Sequence, residues 1–540
     1  MRRAVVVGVA VGALALAGVG ALAMFGGSRA NAHPNVLIVL WDTVRADHLS
    51  VYGHEADTTP SLRAFAESAV VYEKTVAPGM WTVPSHGSMF TGLPPSTHGA
   101  SFEWRWLDAH HVTLAEHFKE QGYDTFAFSA NPNLSRRGAN LLQGFDVIQT
   151  SWGGQWWPLV RQATRRKLLP KDASTEISLA YRGRRPGNPY YNGAPAAGKA
   201  LFRWLDGRET DGPWLAYLNY MEAHKPRVPQ LKHRRAVMDE ARHDLSLQTD
   251  VTFLHQLAYG YHQLEYTPEE IEAARSVYDA CIRELDEYTQ RVFDGLEERG
   301  MLDDTIIVVT SDHGETLGEH HRFGHRYGMY QTLLHVPLLV RYPKRLKPAR
   351  VSEPVTTQDL FATLTDLAEV PPAPTAKYSQ SLLGTVHEAL FSEVLSFDLA
   401  GFQLVRRAYP AIPPEGWAHT FRSVRAGDLK LIVDDEDHAE LYDLETDPME
   451  TEDLAEARPA DVEALRGRMT AHWAEIPPYD REARTEEDRP AALSRKEKAM
   501  LEVLGYVSDD EGDDGDGTPD DELPDDGPVG DTPPDDEPSD

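Results

Sequence analysis

The 540-residue chain reads as an α/β protein with a mostly parallel central sheet, followed by a smaller C-terminal α+β subdomain with an antiparallel sheet. Apolar runs of strand length recur at 36–40, 124–129, 214–219, 305–310 and 336–340. Such continuous runs suit strands buried on both faces. Segments with helical spacing separate them, at 60–70, 112–121, 198–205 and 268–299. That alternation is the pattern of βα units around a parallel sheet. Beyond residues 371–374 the pattern changes to short alternating runs, "RSVRAGDLKLIV" and "AELYDLETD", with a helix expected over 459–473. These build the antiparallel subdomain, placed at 415–507 after a main unit at 33–414.

The two ends read differently. Arg2 and Arg3 precede an uncharged run from 4 to 27 and an Ala-x-Ala match at 30–32. Residues 1–32 are therefore a cleaved signal peptide or an uncleaved single-pass membrane anchor, and either one exports the rest. The expected location is periplasmic or extracellular. Residues 509–540 hold 16 carboxylates and no Lys or Arg, which accounts for half of the formal charge of −32. A tail at 508–540 so acidic and so poor in apolar residues cannot offset ordering entropy and is expected to be disordered. Net acidity argues against nucleic acid as a partner. Cys281 is the only cysteine, so disulfides within the chain and Cys-based zinc sites are excluded. The stretch 151–186 combines three tryptophans with a cluster of arginines. It reads as a substrate lid, a membrane-surface contact or a plain surface insertion.

Ligands of open α/β sheets bind beyond the carboxyl ends of the strands. Asp42 follows the first apolar run, and Ser311-Asp312-His313 follows the run ending at Thr310. "SDHGETLGEHHRFGH" packs Asp312, His313, Glu315, Glu319, His320, His321 and His325 into fifteen residues. The two clusters could give one divalent cation three ligands. In "GMWTVPSHGSMFTG", Pro84 falls in the first turn of a helix expected over 84–90, which sets Thr82 at its N-terminus. There the hydroxyl is a helix cap, or a nucleophile whose ionisation a cation would assist.

From about residue 34 to 507 the chain resembles the sulfatase-type members of the alkaline phosphatase superfamily. The resemblance rests on Asn35 through Asp42 with Arg45, Asp47 and His48, then Trp81-Thr82-Val83-Pro84-Ser85-His86. It continues through Gly144-Phe145-Asp146, Tyr220 to Pro226, Thr310 to Glu315, Gly324-His325 with Tyr330, Val336-Pro337-Leu338 and "ELYDLETDP". It implies an alkaline phosphatase-like core and one divalent cation held by Asp42, Asp312, His313 and Thr82. It further implies Thr82, His224 and His325 in catalysis, with Arg326 the alternative to His325 beside the leaving oxygen; Asn131, His86 and Arg326 are the expected substrate contacts.

Three departures from the sulfatase pattern bear on the chemistry. Thr82 stands where the family's Cys-x-Pro-x-Arg motif has the Cys that becomes formylglycine, and His86 stands in the Arg position. Ser129-Ala130-Asn131-Pro132 replaces a common Gly-Lys-Trp-His, removing a Lys and a His. Asp42-Thr43 replaces a common Asp-Asp. Fewer carboxylates and one imidazole favour Zn²⁺, Mn²⁺ or Mg²⁺ over Ca²⁺. An unmodified Thr can form and release a phosphoryl adduct but has no gem-diol with which to expel sulfate. The expected activity is hydrolysis of a small-molecule or lipid-linked phosphate-type ester, with phosphodiesters and phosphonate monoesters favoured. The alternatives are an arylsulfatase-like sulfuric ester hydrolase, a transferase of phosphoryl-linked head groups, and a non-catalytic binding protein on the same scaffold.

Overall fold

A computed structural model describes residues 33–135, 137–156, 193–249, 251–410, 419–485, 493, 497, 498 and 501. The expected N-terminal segment, the acidic tail and most of the Trp/Arg-rich stretch lie outside the described residues. Within them, a nine-stranded sheet runs in the order β10-β2-β9-β6-β1-β5-β3-β4, with β11 also pairing β2. Its strands are β1 (Asn35–Trp41), β2 (Val70–Val76), β3 (Asp124–Ser129), β4 (Val147–Thr150), β5 (Trp214–Tyr220) and β6 (Thr305–Thr310). β9 (His335–Arg341), β10 (Ala349–Val351) and β11 (Val355–Thr356) complete it, while β7 (Thr316–Leu317) and β8 (Phe323–Gly324) form a separate hairpin.

β1 lies at the centre, parallel to β5 on one side and β6 on the other. Only β9 runs against its neighbours, antiparallel to both β2 and β6. Successive side chains of a strand point to opposite faces. Accordingly Val36, Ile38 and Leu40 enter one hydrophobic cluster, while Leu37, Val39 and Trp41 enter the other. Both faces of β1 are thus covered, which is why its sequence is apolar without alternation. The 31-residue helix Pro268–Glu298 covers one face, starting at a Thr267–Glu270 capping box, and carries Cys281 into the core.

Two features differ from the sequence reading. The helix expected over 60–70 stops at Ala66, and Val70 opens β2, which the reading lacked. Glu73 and Lys74 interrupt the apolar pattern of β2, and β9, β10 and β11 supply the pairing that makes it a strand. The antiparallel sheet also begins before the expected boundary at 415. β12 (Leu390–Val394) joins β13 (Phe421–Ala426), β14 (Leu429–Asp434) and β15 (Ala439–Asp443) in that order. Helix Pro459–Glu475 packs Leu465 and Met469 on this sheet against Val424, Leu431 and Leu441.

Candidate active site

The carboxyl ends of the central strands converge on one polar pocket. Asp42 is the first residue past β1, Asp312 and His313 follow β6, and Asn131 lies two residues past β3. Parallel alignment brings these ends to one edge, so residues far apart in sequence become neighbours. All four side chains are buried.

Asp312 is fixed through one oxygen. Its Oδ1 accepts from the backbone N–H of Thr43 at 3.2 Å and of His313 at 3.0 Å. His313 Nδ1 donates to the carbonyl of Gly314 at 2.8 Å, which leaves Nε2 with its lone pair. Asp42 Oδ2 accepts from Asn131 Nδ2 at 2.8 Å and from Asn219 Nδ2 at 3.3 Å. Three buried atoms then remain without a hydrogen-bond partner: Asp42 Oδ1, Asp312 Oδ2 and His313 Nε2. These three residues offer ligand atoms within 4.8 Å of one another.

Leaving buried polar atoms unsatisfied is costly, and two close carboxylates repel. Burial, with Asp312 beside it, pushes the Asp42 carboxyl up to about 7, and burial pushes Asp312 up to about 7. Burial also lowers His313. A divalent cation resolves all three conflicts, so this donor set fits the metal expected from the sequence. The backbone beside it is strained: Thr43 has φ 63°, in the left-handed region. Tyr278 holds it there, donating to the Thr43 carbonyl at 2.6 Å and accepting from Arg45 N–H at 2.9 Å.

Thr82 is the first residue of helix Thr82–Thr91, whose cap is Trp81 in extended conformation, with no side-chain cap bond. The hydroxyl is therefore not spent on capping. Thr82 Oγ1 accepts from Asn131 Nδ2 at 3.4 Å, the same amide nitrogen that bonds Asp42. Nucleophile candidate and ligand cluster thus share one anchor.

His86 requires a correction to its expected contact with substrate. It is completely buried, and its Nδ1 bonds the Thr82 carbonyl at 2.8 Å while Nε2 bonds Tyr217 Oη at 2.7 Å. Both ring nitrogens are committed, and burial lowers this imidazole to about 3, keeping it neutral. Arg326 pairs with Asp398. His325 sits closer in, its ring 4.5 Å from that of His313 and 5.2 Å from that of His224. Burial pushes His325 down to about 4 and His224 well below the ordinary imidazole range. Glu315 Oε2 lies 3.2 Å from His325 Nδ1 and 2.9 Å from Arg227 Nη2. Burial works against the charge of Glu315, yet His325 and Arg227 hold it well below the usual carboxylate range.

Three residues of this pocket were not singled out from the sequence. Asn219 accepts from the N–H groups of Ala130 and Asn131 while donating to Asp42, so it shapes the Asn131 turn. Tyr217 and Arg227 complete the supports of His86 and Glu315. The one available signal was a polar residue, Asn219, closing the apolar run of β5.

The sulfatase family profile matches residues 34–370, and a profile for the C-terminal region of N-sulphoglucosamine sulphohydrolase matches 318–474. Choline-sulfatase of Rhizobium meliloti is 24% identical over 467 residues, covering 82% of this chain and 87% of that protein. Arylsulfatase K of Danio rerio is 24% identical over 362 residues, covering 63% of this chain and 65% of its own length. Among solved structures, the phosphonate monoester hydrolase of Agrobacterium radiobacter superimposes with a TM-score of 0.62 at 24% identity, over 82% of this chain and 96% of that one. The profile match spans more than half of the sequence and includes every strand that feeds the pocket, so the chain belongs to the sulfatase family of ester hydrolases.

Proposed function

We propose that the protein hydrolyses phosphate-type esters, phosphodiesters or phosphonate monoesters above all, with Thr82 as the nucleophile. The observation that carries this reading is the placement of Thr82. Its hydroxyl is unused as a cap, sits at a helix start, and shares the Asn131 amide with Asp42. In this reading Asp42, Asp312, His313 and the Thr82 hydroxyl would hold one divalent cation, with Zn²⁺, Mn²⁺ or Mg²⁺ favoured over Ca²⁺. When bound, such an ion lowers the pKa of a coordinated hydroxyl and offsets negative charge on the ester.

The chain's own groups do the rest. Thr82 loses its hydroxyl proton to solvent and enters as the alkoxide; Oγ1 attacks phosphorus, and the bond from phosphorus to the leaving oxygen breaks. With the anionic ester and the Glu315 carboxylate beside it, His325 enters the step protonated on Nε2 and hands that proton to the leaving oxygen; its low pKa makes it a ready donor, and His224 flanks it. Water then attacks the phosphoryl-Thr82 adduct, its proton passes to His325 Nε2, and Thr82 is regenerated. The amide of Asn131 donates at the nucleophile and toward the ester oxygens. His86 acts as a positioning residue, fastening the first helical turn to β5 through Tyr217. Helix N-terminal N–H groups favour the tetrahedral anion.

Sulfuric ester hydrolysis is the second reading, and the choline-sulfatase and arylsulfatase K relatives favour it. Against it stands Thr82, which offers no formylglycine. The substrate is a small-molecule or lipid-linked ester, and the chain is exported through residues 1–32; among the described residues no helix is long and apolar enough to cross a membrane. Parallel kinetics on aryl sulfate, phosphate monoester, phosphodiester and phosphonate monoester test the assignment. A phosphorus ester is expected to give the highest kcat/KM; a sulfate preference would reverse the substrate class.

A further inference from the structure

A second convergence of ligand-bearing side chains lies away from the pocket. His262 and Glu265 belong to the turn between helices Phe253–Gly260 and Pro268–Glu298, and His321 lies in the loop joining β7 to β8. Each offers a ligand atom within 4.8 Å of the other two. His321 Nε2 stands 3.5 Å from Glu265 Oε1, and His262 Nδ1 stands 3.7 Å from the same oxygen. Charge-assisted hydrogen bonds are about 2.7–2.9 Å long, so neither contact is one. Two ligands of one tetrahedral ion, with bonds of about 2.0–2.2 Å, are about 3.4 Å apart, close to the spacing found here.

Two further observations point the same way. His321 Nε2 is shielded from solvent and has no hydrogen-bond partner. The backbones of His262 and His321 both adopt φ 54°, a left-handed conformation that non-glycine residues hold only where their surroundings enforce it. The His321 ring is sandwiched between Tyr259 and His262, with centroids 3.9 Å from each. Tyr259 fixes it from one side. His262, with a side chain 69% exposed, has room to tilt out of the stack so that its lone pair meets that of His321.

We propose that His262, Glu265 and His321 bind a divalent transition-metal ion of the zinc class, with a fourth position left to water. Two imidazoles and a carboxylate suit such an ion and not Ca²⁺ or Mg²⁺. The ion clips the β7–β8 hairpin to the turn after helix Phe253–Gly260. Glu315 precedes this hairpin and His325 follows it, so the clip restrains the segment that carries the Glu315–His325 pair.

The test is a metal count on the full chain, dialysed against Zn²⁺ or Co²⁺ and read by elemental analysis and Co²⁺ absorption. Wild type is expected to hold two ions, His321→Ala one, Asp312→Ala one, and the two substitutions together none. Glu265→Gln, which keeps the side-chain shape, should weaken the clip ion by at least about tenfold while hydrolysis persists. The single variants separate the sites: loss of the pocket ion leaves the clip ion in place, and the reverse. A His262→Ala/His321→Ala variant that holds as many ions as wild type, with equal affinity, would overturn the proposal. A wild type that takes up no second ion in metal excess would overturn it as well.

Discussion

The side-chain amide of Asn131 donates to Oδ2 of Asp42 at 2.8 Å and leans on Thr82 Oγ1 at 3.4 Å with the same nitrogen. This contact ties a turn after β3, the end of β1 and the start of a helix into one unit. It uses Oδ2 of Asp42 and leaves Oδ1 without a hydrogen-bond partner in a residue that clusters with Asp312 and His313.

Thr82→Ala is expected to abolish turnover and keep the fold. The hydroxyl makes one long contact and no cap bond, so its loss should cost about 1 kcal/mol or less. Turnover assays beside thermal melts check both halves.

Removing the cation is expected to remove activity. Chelation should silence the enzyme, Zn²⁺, Mn²⁺ or Mg²⁺ should restore it better than Ca²⁺, and Asp312→Ala should lose both pocket metal and turnover. Metal at a hundredfold over its Kd should add about 2.7 kcal/mol of stability by mass action. Full activity in the metal-free protein would contradict the site.

His325→Ala should lower kcat by about 10²–10⁴-fold for a poor leaving group such as an alkoxide. With a nitrophenolate, which departs without a proton, most of that loss should disappear. A loss independent of the leaving group would remove His325 from the acid role.

Acid sensitivity should trace in part to His98, which is buried in contact with Ser88 and lowered to about 3 by burial. The unfolded chain protonates this ring below about 6.5 while the folded one does not. Stability is then present above pH 6.5 and is lost as pH falls toward 3, by about 2 kcal/mol between pH 6.5 and 5. His98→Gln should flatten that limb of a denaturation-versus-pH curve. At Gly87, an added Cβ would sit 2.6 Å from His98 Cε1, so Gly87→Ala should cost about 1–3 kcal/mol through the same helix.

Much of this organisation was legible in the sequence because its causes are local. Five apolar runs marked strands, and the residues just beyond β1 and β6 marked the candidate ligand cluster. The rest depends on partners distant in sequence. Glu73 and Lys74 hid β2, whose strand character comes from pairing with β9, β10 and β11. β12 joins the C-terminal sheet only by pairing across residues 395–420. His86 occupies the place of a motif arginine and so looked like a substrate contact; Tyr217 and the Thr82 carbonyl claim its nitrogens instead. Asn219 and Arg227 act through contacts that no spacing records.

Thr82 as the phosphoryl acceptor is the central claim, and mass spectrometry of enzyme quenched during turnover tests it most directly. With a phosphodiester or phosphonate monoester substrate, the peptide containing Thr82 should gain the mass of the transferred phosphorus group, and Thr82→Ala should show none. Turnover of the same ester by Thr82→Ala at the wild-type rate, with no adduct in either protein, would contradict the account.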